Sequence, residues 1–351
     1  MKTFKKFLAV VLAFILVLSF AACSKNEGET TVPSGEETTE NFTVNNTDKK
    51  IKVAAIKGPT GMGMVKLMEN PGYEFTLTSD PTEVVSLIAS KSVDIAACPL
   101  NLAANLYKKT NGNIKMLGIN TLGVLSVVTN GETVNSMKDL EGKTIYTTGQ
   151  GATVEFIVNH LIEKNGLKDT KVEFLSEHSE LAAKVISGDA KIAILPEPFV
   201  TVATSKSDNV KVALSLTDEW NKVNPDTQLA MGCVIARADF VNENPELVSK
   251  FISDNKASVE FVNTKSLEAS DKIVEKGIID SAVFSVKETS DKKIESAKTE
   301  KAAEVISRCN IVFIDGDAMK NIADANFKVY FDADPTSIGG QLVSADLYFA
   351  K

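Results

Sequence analysis

The chain is poor in the residues that most often carry catalysis or clamp anions. Histidine occurs only at His160 and His178, and arginine only at Arg237 and Arg308, among 351 residues. Neither arginine falls in a glycine-containing loop, and both histidines lie in or beside helical patterns, which predicts surface positions. A Gly-x-Ser-x-Gly elbow, a P-loop and zinc-ligand spacing are all absent from the sequence. The residues therefore indicate no catalytic site.

Cysteine is also scarce, at positions 23, 98, 233 and 309. If Cys23 has another role, an odd number remains, without Cys-x-x-Cys or Cys/His spacing. We therefore predict no disulfide framework, no metal site and no cofactor. The formal charge of −8 counts against nucleic acid as a partner.

Long apolar runs are absent except near the start of the chain, where one extends from Phe7 to Phe20. It follows three lysines and is shorter than the roughly 20 residues that a membrane-spanning helix needs. This pattern predicts an export signal over residues 1–22. Its removal takes away three lysines and no acid, so the formal charge falls from −8 to −11.

The end of this run, Ala21-Ala22-Cys23, resembles the bacterial lipobox, although Phe20 stands where that motif usually has Leu. The resemblance implies that Cys23 carries a lipid; an ordinary secretory signal with an unmodified Cys23 is the alternative. Residues 23–50 are polar and too poor in apolar side chains to fold. We expect a tether that reaches on the order of 30 Å and holds an extracytoplasmic domain to the cell membrane through the lipid alone.

From Ile51 onward, short β-rich runs alternate with helical patterns, which predicts an α/β fold with parallel sheets. The predicted strands are Lys52–Ile56, Phe75–Thr78, Ile95–Ala97, Lys115–Ile119, Thr144–Thr147, Val172–Leu175, Ile192–Leu195 and Val210–Leu214. About 300 residues are many for one hydrophobic core, so two lobes are expected.

An internal repeat supports two lobes. The segments 88–99 and 185–196 both read as the end of a helix, a tight turn, a buried strand and a proline. Two strands also run into small-residue loops, Gly58-Pro59-Thr60-Gly61 and Thr148-Gly149-Gln150-Gly151. We predict lobe one over 51–123 plus 236–351 and lobe two over 124–235. The predicted crossovers are Val124–Thr129 and Cys233–Arg237.

Motifs along residues 51–345 resemble the nitrate/taurine/aliphatic-sulfonate and thiamine-precursor branch of the periplasmic-type binding proteins. The residues that carry the resemblance are Gly58-Pro59-Thr60-Gly61-Met62-Gly63, Val93-Asp94-Ile95-Ala96, Asp139-Leu140-Glu141-Gly142-Lys143-Thr144-Ile145 and Leu195-Pro196-Glu197-Pro198-Phe199. The resemblance implies a type-two periplasmic binding protein fold, with two α/β lobes joined by two crossover strands. It also implies a protein that delivers a small solute to an ABC permease and ATPase.

The ligand is expected where strand-end loops of the two lobes converge. Backbone N–H groups at helix starts suit acceptor oxygens, although the glycines there are also consistent with tight turns alone. Thr148, Thr153 and Asn101 suit ligand binding and helix capping equally, and Met62 suits an apolar wall or the core. The predicted ligand-binding residues are Pro59, Thr60, Gly61, Met62, Pro99, Asn101, Thr148, Gly149, Gln150, Gly151, Ala152, Thr153 and Glu197.

Glu197 lies between two prolines after a predicted strand, where a carboxylate favours a cationic or hydrogen-bond-donating solute. The alternative interpretation is that Glu197 is a solvated residue that supports the first turn of the next helix. Because no arginine lies in a candidate loop, a thiamine-like or pyrimidine-like solute is favoured over sulfonate, taurine or nitrate. For the single Trp220, ordinary packing is favoured over stacking on a solute.

The sequence thus predicts a monomeric, lipid-anchored solute-binding protein of an ABC importer that is not an enzyme. Two alternatives stay open: an exported enzyme of the same fold that acts on a small metabolite, and a tethered sensor that reports its ligand to a membrane receptor.

Overall fold

The computed structural model describes residues 49–286 and 291–350. The predicted export signal over 1–22, the predicted lipid site at Cys23 and nearly all of the predicted tether lie outside these residues. The described residues form one compact unit. Within the described residues, no helix is both long enough and apolar enough to cross a bilayer.

The eight predicted strands and the two predicted crossovers agree with ten of the eleven strands in the described residues to within three residues at each end, and the strand Ile311–Ile314 was not predicted. The observed strands are β1 (Ile51–Ile56), β2 (Tyr73–Thr78), β3 (Ile95–Pro99), β4 (Ile114–Leu122), β5 (Leu125–Asn130), β6 (Thr144–Thr148), β7 (Lys171–Leu175), β8 (Ile192–Pro196), β9 (Val210–Ser215), β10 (Ala230–Arg237) and β11 (Ile311–Ile314).

Helices separate most of these strands. They are α1 (Pro59–Met62), α2 (Pro81–Ala89), α3 (Leu100–Lys109), α4 (Thr153–Lys164), α5 (His178–Ser187), α6 (Phe199–Lys206), α7 (Leu216–Val223), α8 (Ala238–Glu243), α9 (Pro245–Thr264), α10 (Ser266–Glu275), α11 (Asp291–Arg308) and α12 (Gly316–Ala333). Short 3₁₀ turns occur at Leu67–Glu69, Met137–Leu140, Ser281–Phe284, Pro335–Ile338 and Ala345–Leu347. At the start of α2, the carboxylate of Asp80 accepts a hydrogen bond from the Thr82 N–H and Pro81 occupies the first helical position, as the sequence predicts.

Two sheets form the framework of two lobes. The first has the strand order β11-β4-β10-β3-β1-β2 and the second β7-β6-β8-β5-β9. The sequence predicted parallel sheets, but both are mixed: β10 is antiparallel to β3 and β4, and β5 is antiparallel to β8 and β9. The reason is that the chain passes between the sheets at these strands. It enters the second sheet through β5 and returns to the first sheet through β10. The predicted crossover Cys233–Arg237 falls within β10, and Val124–Thr129 begins one residue before β5.

The two sheets contain the same four-strand unit. In the first sheet β10, β3, β1 and β2 are neighbours, and in the second β5, β8, β6 and β7 are, with one antiparallel pair followed by two parallel pairs in each. The repeated proline ends the corresponding strand in each unit: Pro99 ends β3, and Pro196 ends β8. The sequence repeat therefore corresponds to a repeated topology. The predicted lobe boundaries stay predictions; the one between 235 and 236 falls inside β10.

One hydrophobic cluster contains residues from both sheets. It joins Ile119 of β4 to Val127 of β5, and it includes α4, α7 and α12. The ring of Tyr330 in α12 lies 6.5 Å from that of Phe156 in α4 and 6.3 Å from that of Trp220 in α7. Apolar packing therefore continues from one lobe to the other along this side of the molecule.

A largely buried ion pair lies at the amino end of β3, at the other end of this strand from Pro99. Asp94 precedes β3; its Oδ1 accepts a hydrogen bond from Arg237 Nη2 at 2.8 Å, and its Oδ2 accepts one from the Lys52 N–H at 3.0 Å. Arg237, the last residue of β10, also donates to the Val93 carbonyl. The pair thus joins the ends of β1, β3 and β10.

We predict that Asp94→Ala lowers the free energy of unfolding by about 2 kcal/mol, because it removes one of the two carboxylates that pair with the buried Arg237 guanidinium and leaves only Asp239. It also removes the acceptor of the Lys52 N–H. Urea denaturation measures the change. The matched control is Asp332→Ala, which removes an exposed i,i+4 ion pair with Lys328 and is expected to cost about 0.5 kcal/mol or less. Equal losses in the two variants would contradict this role for the Asp94–Arg237 pair.

Candidate functional site

A cavity of about 130 Å³ lies where the carboxyl ends of the duplicated strands face each other. Residues at or just past the ends of β1, β3, β6 and β8 line it, with residues near the starts of β5 and β10. The lining comprises Ile56, Lys57, Gly58, Pro59, Thr60, Pro81, Pro99, Thr121, Val124, Leu125, Gly149, Ala152, Thr153, Val154, His178, Pro196, Glu197, Phe199 and Met231. In open α/β sheets, ligands bind at the carboxyl ends of the strands. The cavity lies at that position relative to both sheets.

A wider chamber of about 520 Å³ adjoins this cavity and shares Lys57, Gly149, His178 and Phe199 with it. Its other walls are more polar and come from the loops after β2 and β7 and from the segment around Ile278. The inner cavity and the outer chamber together have the size of a site for a small organic solute.

In the first predicted loop, only part of the motif reaches the cavity. Gly58 has a φ of 109°, a conformation that favours glycine, and it turns the chain so that Pro59 and Thr60 line the wall. Gly61 and Met62 are buried behind them, and Met62 packs in a hydrophobic cluster with α9 to α11. The N–H groups of Gly61 and Met62 both donate to the Gly58 carbonyl, so they are already used within the chain.

The second predicted loop is divided in the same way. Gly149, Ala152 and Thr153 line the cavity, whereas Gln150 and Gly151 are exposed and border a separate hollow of about 290 Å³. The Gly151 N–H donates to the Glu155 carboxylate at 2.6 Å, and the Ala152 N–H donates to the Gly149 carbonyl. These donors are engaged within the protein, which weakens the basis for anion binding at the start of α4.

Asn101, a predicted ligand residue, is fully buried and bridges the two lobes instead of lining the cavity. From α3 its side-chain amide donates to the Gly151 carbonyl at 3.1 Å, and its Oδ1 accepts from the Thr153 hydroxyl at 3.0 Å. The Asn101 N–H in turn donates to the Thr153 oxygen at 3.4 Å. Asn101 and Thr153 thus satisfy each other's hydrogen-bonding groups where the amino end of α3 meets the amino end of α4.

Glu197 lies at the cavity and is only 6 % exposed. Its Oε2 accepts hydrogen bonds from the Thr201 hydroxyl at 2.8 Å and the Thr201 N–H at 3.2 Å, so it supports the first turn of α6, but it is not the solvated residue of the alternative interpretation. Its Oε1 lies 4.0 Å from Arg308 Nη1, beyond hydrogen-bonding distance. Burial raises the pKa of Glu197, although the Thr201 hydrogen bonds and the charges of Arg308 and Lys301 oppose that rise.

Both histidines are less exposed than the sequence suggested. His160 is buried between α4 and α7, with a ring centroid 5.4 Å from that of Trp220 and with Nε2 3.2 Å from Asn224 Oδ1. The prediction of surface positions was wrong because each lies on the inward face of its helix. Trp220 is fully buried in this cluster, which confirms ordinary packing.

His178 begins α5 and is partly buried in the cavity wall. Its Nδ1 lies 2.6 Å from the hydroxyl of Thr148, another predicted site residue, and its ring centroid is 5.2 Å from that of Phe199. Burial lowers the pKa of His178 to about 4, so the imidazole is neutral near pH 7. A neutral imidazole exchanges hydrogen bonds with a solute without adding charge.

Sequence reasoning missed His178, Phe199, Lys57 and Met231 as cavity residues. The strand-end rule would have found Lys57 after β1 and His178 after β7, because both strands were predicted. His178 was missed because it was interpreted as a surface residue. Met231 has no local signal, because its place depends on the antiparallel pairing of β10 with β3. Among the described residues, no group of three His, Cys, Asp or Glu side chains is arranged to hold a metal ion.

The two-lobe α/β fold with strand-end loops around an interlobe cavity is that of the type-two periplasmic binding proteins. The family model described as NMT1/THI5 like matches residues 74–269, and the chain belongs to this family. A comparison of the sequence with functionally characterised proteins found no significant match.

Solved structures of similar fold include an ABC transporter protein from Parabacteroides distasonis, at 20% identity over 87% of this chain and 100% of that one, with a TM-score of 0.70. The periplasmic aliphatic sulphonate binding protein SsuA from Escherichia coli matches at 11% identity over 86% and 91% of the two chains, with a TM-score of 0.64. The alkanesulfonate-binding protein SsuA from Xanthomonas axonopodis pv. citri, bound to MOPS, matches at 10% identity over 81% and 93%, with a TM-score of 0.59. At these identities the likeness shows the fold.

We predict that His178 makes the protein less stable in acid. Below pH 6.5 the unfolded chain takes up a proton on this imidazole, whereas the folded protein does so only near pH 4. Stability therefore falls as the pH is lowered through this window, by about 2 kcal/mol between pH 7 and pH 5. Denaturant unfolding at both pH values, with NMR titration of the imidazole signals, measures the effect.

His178→Gln is expected to reduce this pH dependence and to remove the NMR signal that titrates near pH 4. His160→Gln is the matched control for the NMR assignment, because burial also lowers the pKa of His160; this variant should keep the signal that titrates near pH 4. An NMR signal assigned to His178 with a midpoint at 6 or above would contradict the prediction.

Proposed function

We propose that this protein is the solute-binding component of an ABC importer and that it encloses a small heteroaromatic solute, thiamine-like or pyrimidine-like, between its lobes. The buried carboxylate of Glu197 at the inner cavity carries the proposal. The family and the shared fold support the transport role, and the chemistry of the cavity supports the class of solute.

The carboxylate favours a partner that donates hydrogen bonds or carries positive charge. Thr201 supplies two hydrogen bonds to Oε2, but Arg308 lies too far from Oε1 for a hydrogen bond, so Oε1 retains capacity to accept one. An amino group on a heterocycle would supply that bond and offset the cost of burying the charge.

The rest of the cavity suits a flat ring. Phe199 and His178 present aromatic faces, and four prolines with Val124, Leu125 and Met231 form apolar walls. Aromatic and apolar walls stabilise a ring through stacking and burial of its surface, while a few polar groups set its orientation. Thr60 and Thr153 also line the cavity, but their hydroxyl groups donate within the chain, to the Ile56 carbonyl and to Asn101 Oδ1.

An alkanesulfonate is the second candidate, because two proteins of similar fold are named as sulfonate-binding. Lys57, exposed at the rim of the cavity, would be the cation for such a ligand. Against this candidate, Arg237 is paired with Asp94, the N–H groups of Gly61, Gly151 and Ala152 are used within the chain, and Glu197 would repel a sulfonate.

Isothermal titration with thiamine, its hydroxymethylpyrimidine precursor, taurine, ethanesulfonate and nitrate tests the class of solute. We expect binding of at least one pyrimidine, and we expect Glu197→Gln to weaken it about 10- to 100-fold, as loss of a charge-assisted hydrogen bond would. Glu163→Gln, at an exposed position in α4 that lines neither the cavity nor the outer chamber, is the matched control and should bind normally. Tight binding of a sulfonate alone would overturn the pyrimidine assignment and favour the second candidate.

The proposal includes attachment outside the cell through a lipid on Cys23, delivery of the solute to a permease and ATPase, and action as a monomer. In a bacterial host, metabolic labelling with radioactive palmitate should mark the full-length wild type, and Cys23→Ala should abolish the label because no thiol remains at the lipobox. Cys309→Ala, which alters a buried thiol in the folded body, should still be labelled. Equal labelling of the wild type and Cys23→Ala would contradict the anchor.

A further inference from the structure

Two cysteines face each other across adjacent strands of the first sheet. Cys98 in β3 and Cys233 in β10 are directly paired in the antiparallel register, and their sulfur atoms are 4.0 Å apart. Both side chains are almost completely buried in the same hydrophobic cluster. Cys309, the other cysteine among the described residues, lies in a different cluster and has no such partner thiol.

We propose that Cys98 and Cys233 form a disulfide that ties the strand leading to the cavity to the strand that returns from the second sheet. One S–S bond forms and two S–H bonds break; the two electrons reduce a small-molecule or protein disulfide to two thiols, which take up the two protons. Oxidised glutathione is a sufficient oxidant of this class.

The pairing is suitable for such a bond. Directly opposed residues of antiparallel strands have Cα atoms about 4.5 to 5.5 Å apart, within the range of about 4.4 to 6.8 Å found across disulfides. The pairing of β10 with β4 is irregular on either side of Cys233, between Gly232 and Cys233 and between Val234 and Ile235. A strand with irregular pairing on its far side adjusts more easily to bring its sulfur atom into bonding distance.

Burial determines when the bond forms. Exchange requires a thiolate, and desolvation together with the neighbouring Cys98 thiol raises the pKa of Cys233 well above its usual range. Exchange in the folded protein is therefore slow. The disulfide forms while β3 and β10 are pairing, before the cluster closes around them, and it then resists reduction.

The position gives the bond a structural effect on the site. Pro99, next to Cys98, and Met231, two residues before Cys233, both line the cavity. All five strands of the second sheet lie between the two cysteines in the sequence. The disulfide would thus close a loop that contains α3, β4 and the whole second sheet, and it would restrict the unfolded chain over that long loop.

The test refolds the full chain with oxidised glutathione, blocks free thiols with iodoacetamide and maps peptides by mass spectrometry without reduction. We expect a linked peptide pair that contains Cys98 and Cys233, and a Tm several degrees higher than that of the same protein kept in reductant. Cys309→Ser is the matched control and should retain both the linked pair and the shift in Tm.

The double variant Cys98→Ala/Cys233→Ala should lose the difference in Tm between oxidising and reducing conditions. If it folds poorly, the peptide map of the wild type decides the question by itself. Complete alkylation of Cys98 and Cys233 after refolding with oxidised glutathione would overturn the proposal, as would a linked pair that involves Cys309. Neither outcome bears on the solute.

Discussion

Each sheet of this protein is completed by a strand that arrives from the other sheet, and the position of the cavity depends on that exchange. Because β10 and β5 enter antiparallel to β3 and β8, their first residues lie beside the last residues of those strands. The carboxyl ends of both four-strand units consequently face the place where the chain passes between the lobes. This pairing brings Met231 beside Pro99 and Leu125 beside Pro196 in the cavity wall.

Within that cavity, the side-chain carboxylate of Glu197 is almost completely removed from water. The buried Glu197 is stabilised by Thr201 on one oxygen, while the guanidinium of Arg308 is too distant to hydrogen-bond to the other. A buried charge without full compensation is costly, and a solute that supplies the missing hydrogen bond recovers part of that cost. Under the proposed function, this group is the reason that a hydrogen-bond-donating solute is favoured over an anion.

The two lobes are joined by more than the passing strands. Asn101 in α3 and Thr153 at the start of α4 exchange hydrogen bonds out of contact with water, and Phe156, Tyr330 and Trp220 continue the apolar core across the boundary. Buried polar pairs of this kind favour one specific arrangement, because separation would leave each partner unsatisfied unless water replaced it. The side of the cavity near α4 is therefore the more constrained one, and the loops around Lys57 and His178 border its wider opening into the outer chamber.

The sequence by itself determined the strand positions, the α/β class, the repeat that marks two lobes and the placement of Pro99, Gly149 and Glu197 at one cavity, because these follow from local periodicity and from turn residues at strand ends. Only the tertiary structure decided that Asn101 bridges the lobes, that Gly61 and Met62 face the core, and that His178 and Met231 reach the cavity. The physical reason is that the direction of a side chain depends on which strand or helix packs beside it. That pairing joins residues more than a hundred positions apart, as Cys98 and Cys233 are, and leaves no signal in the local pattern.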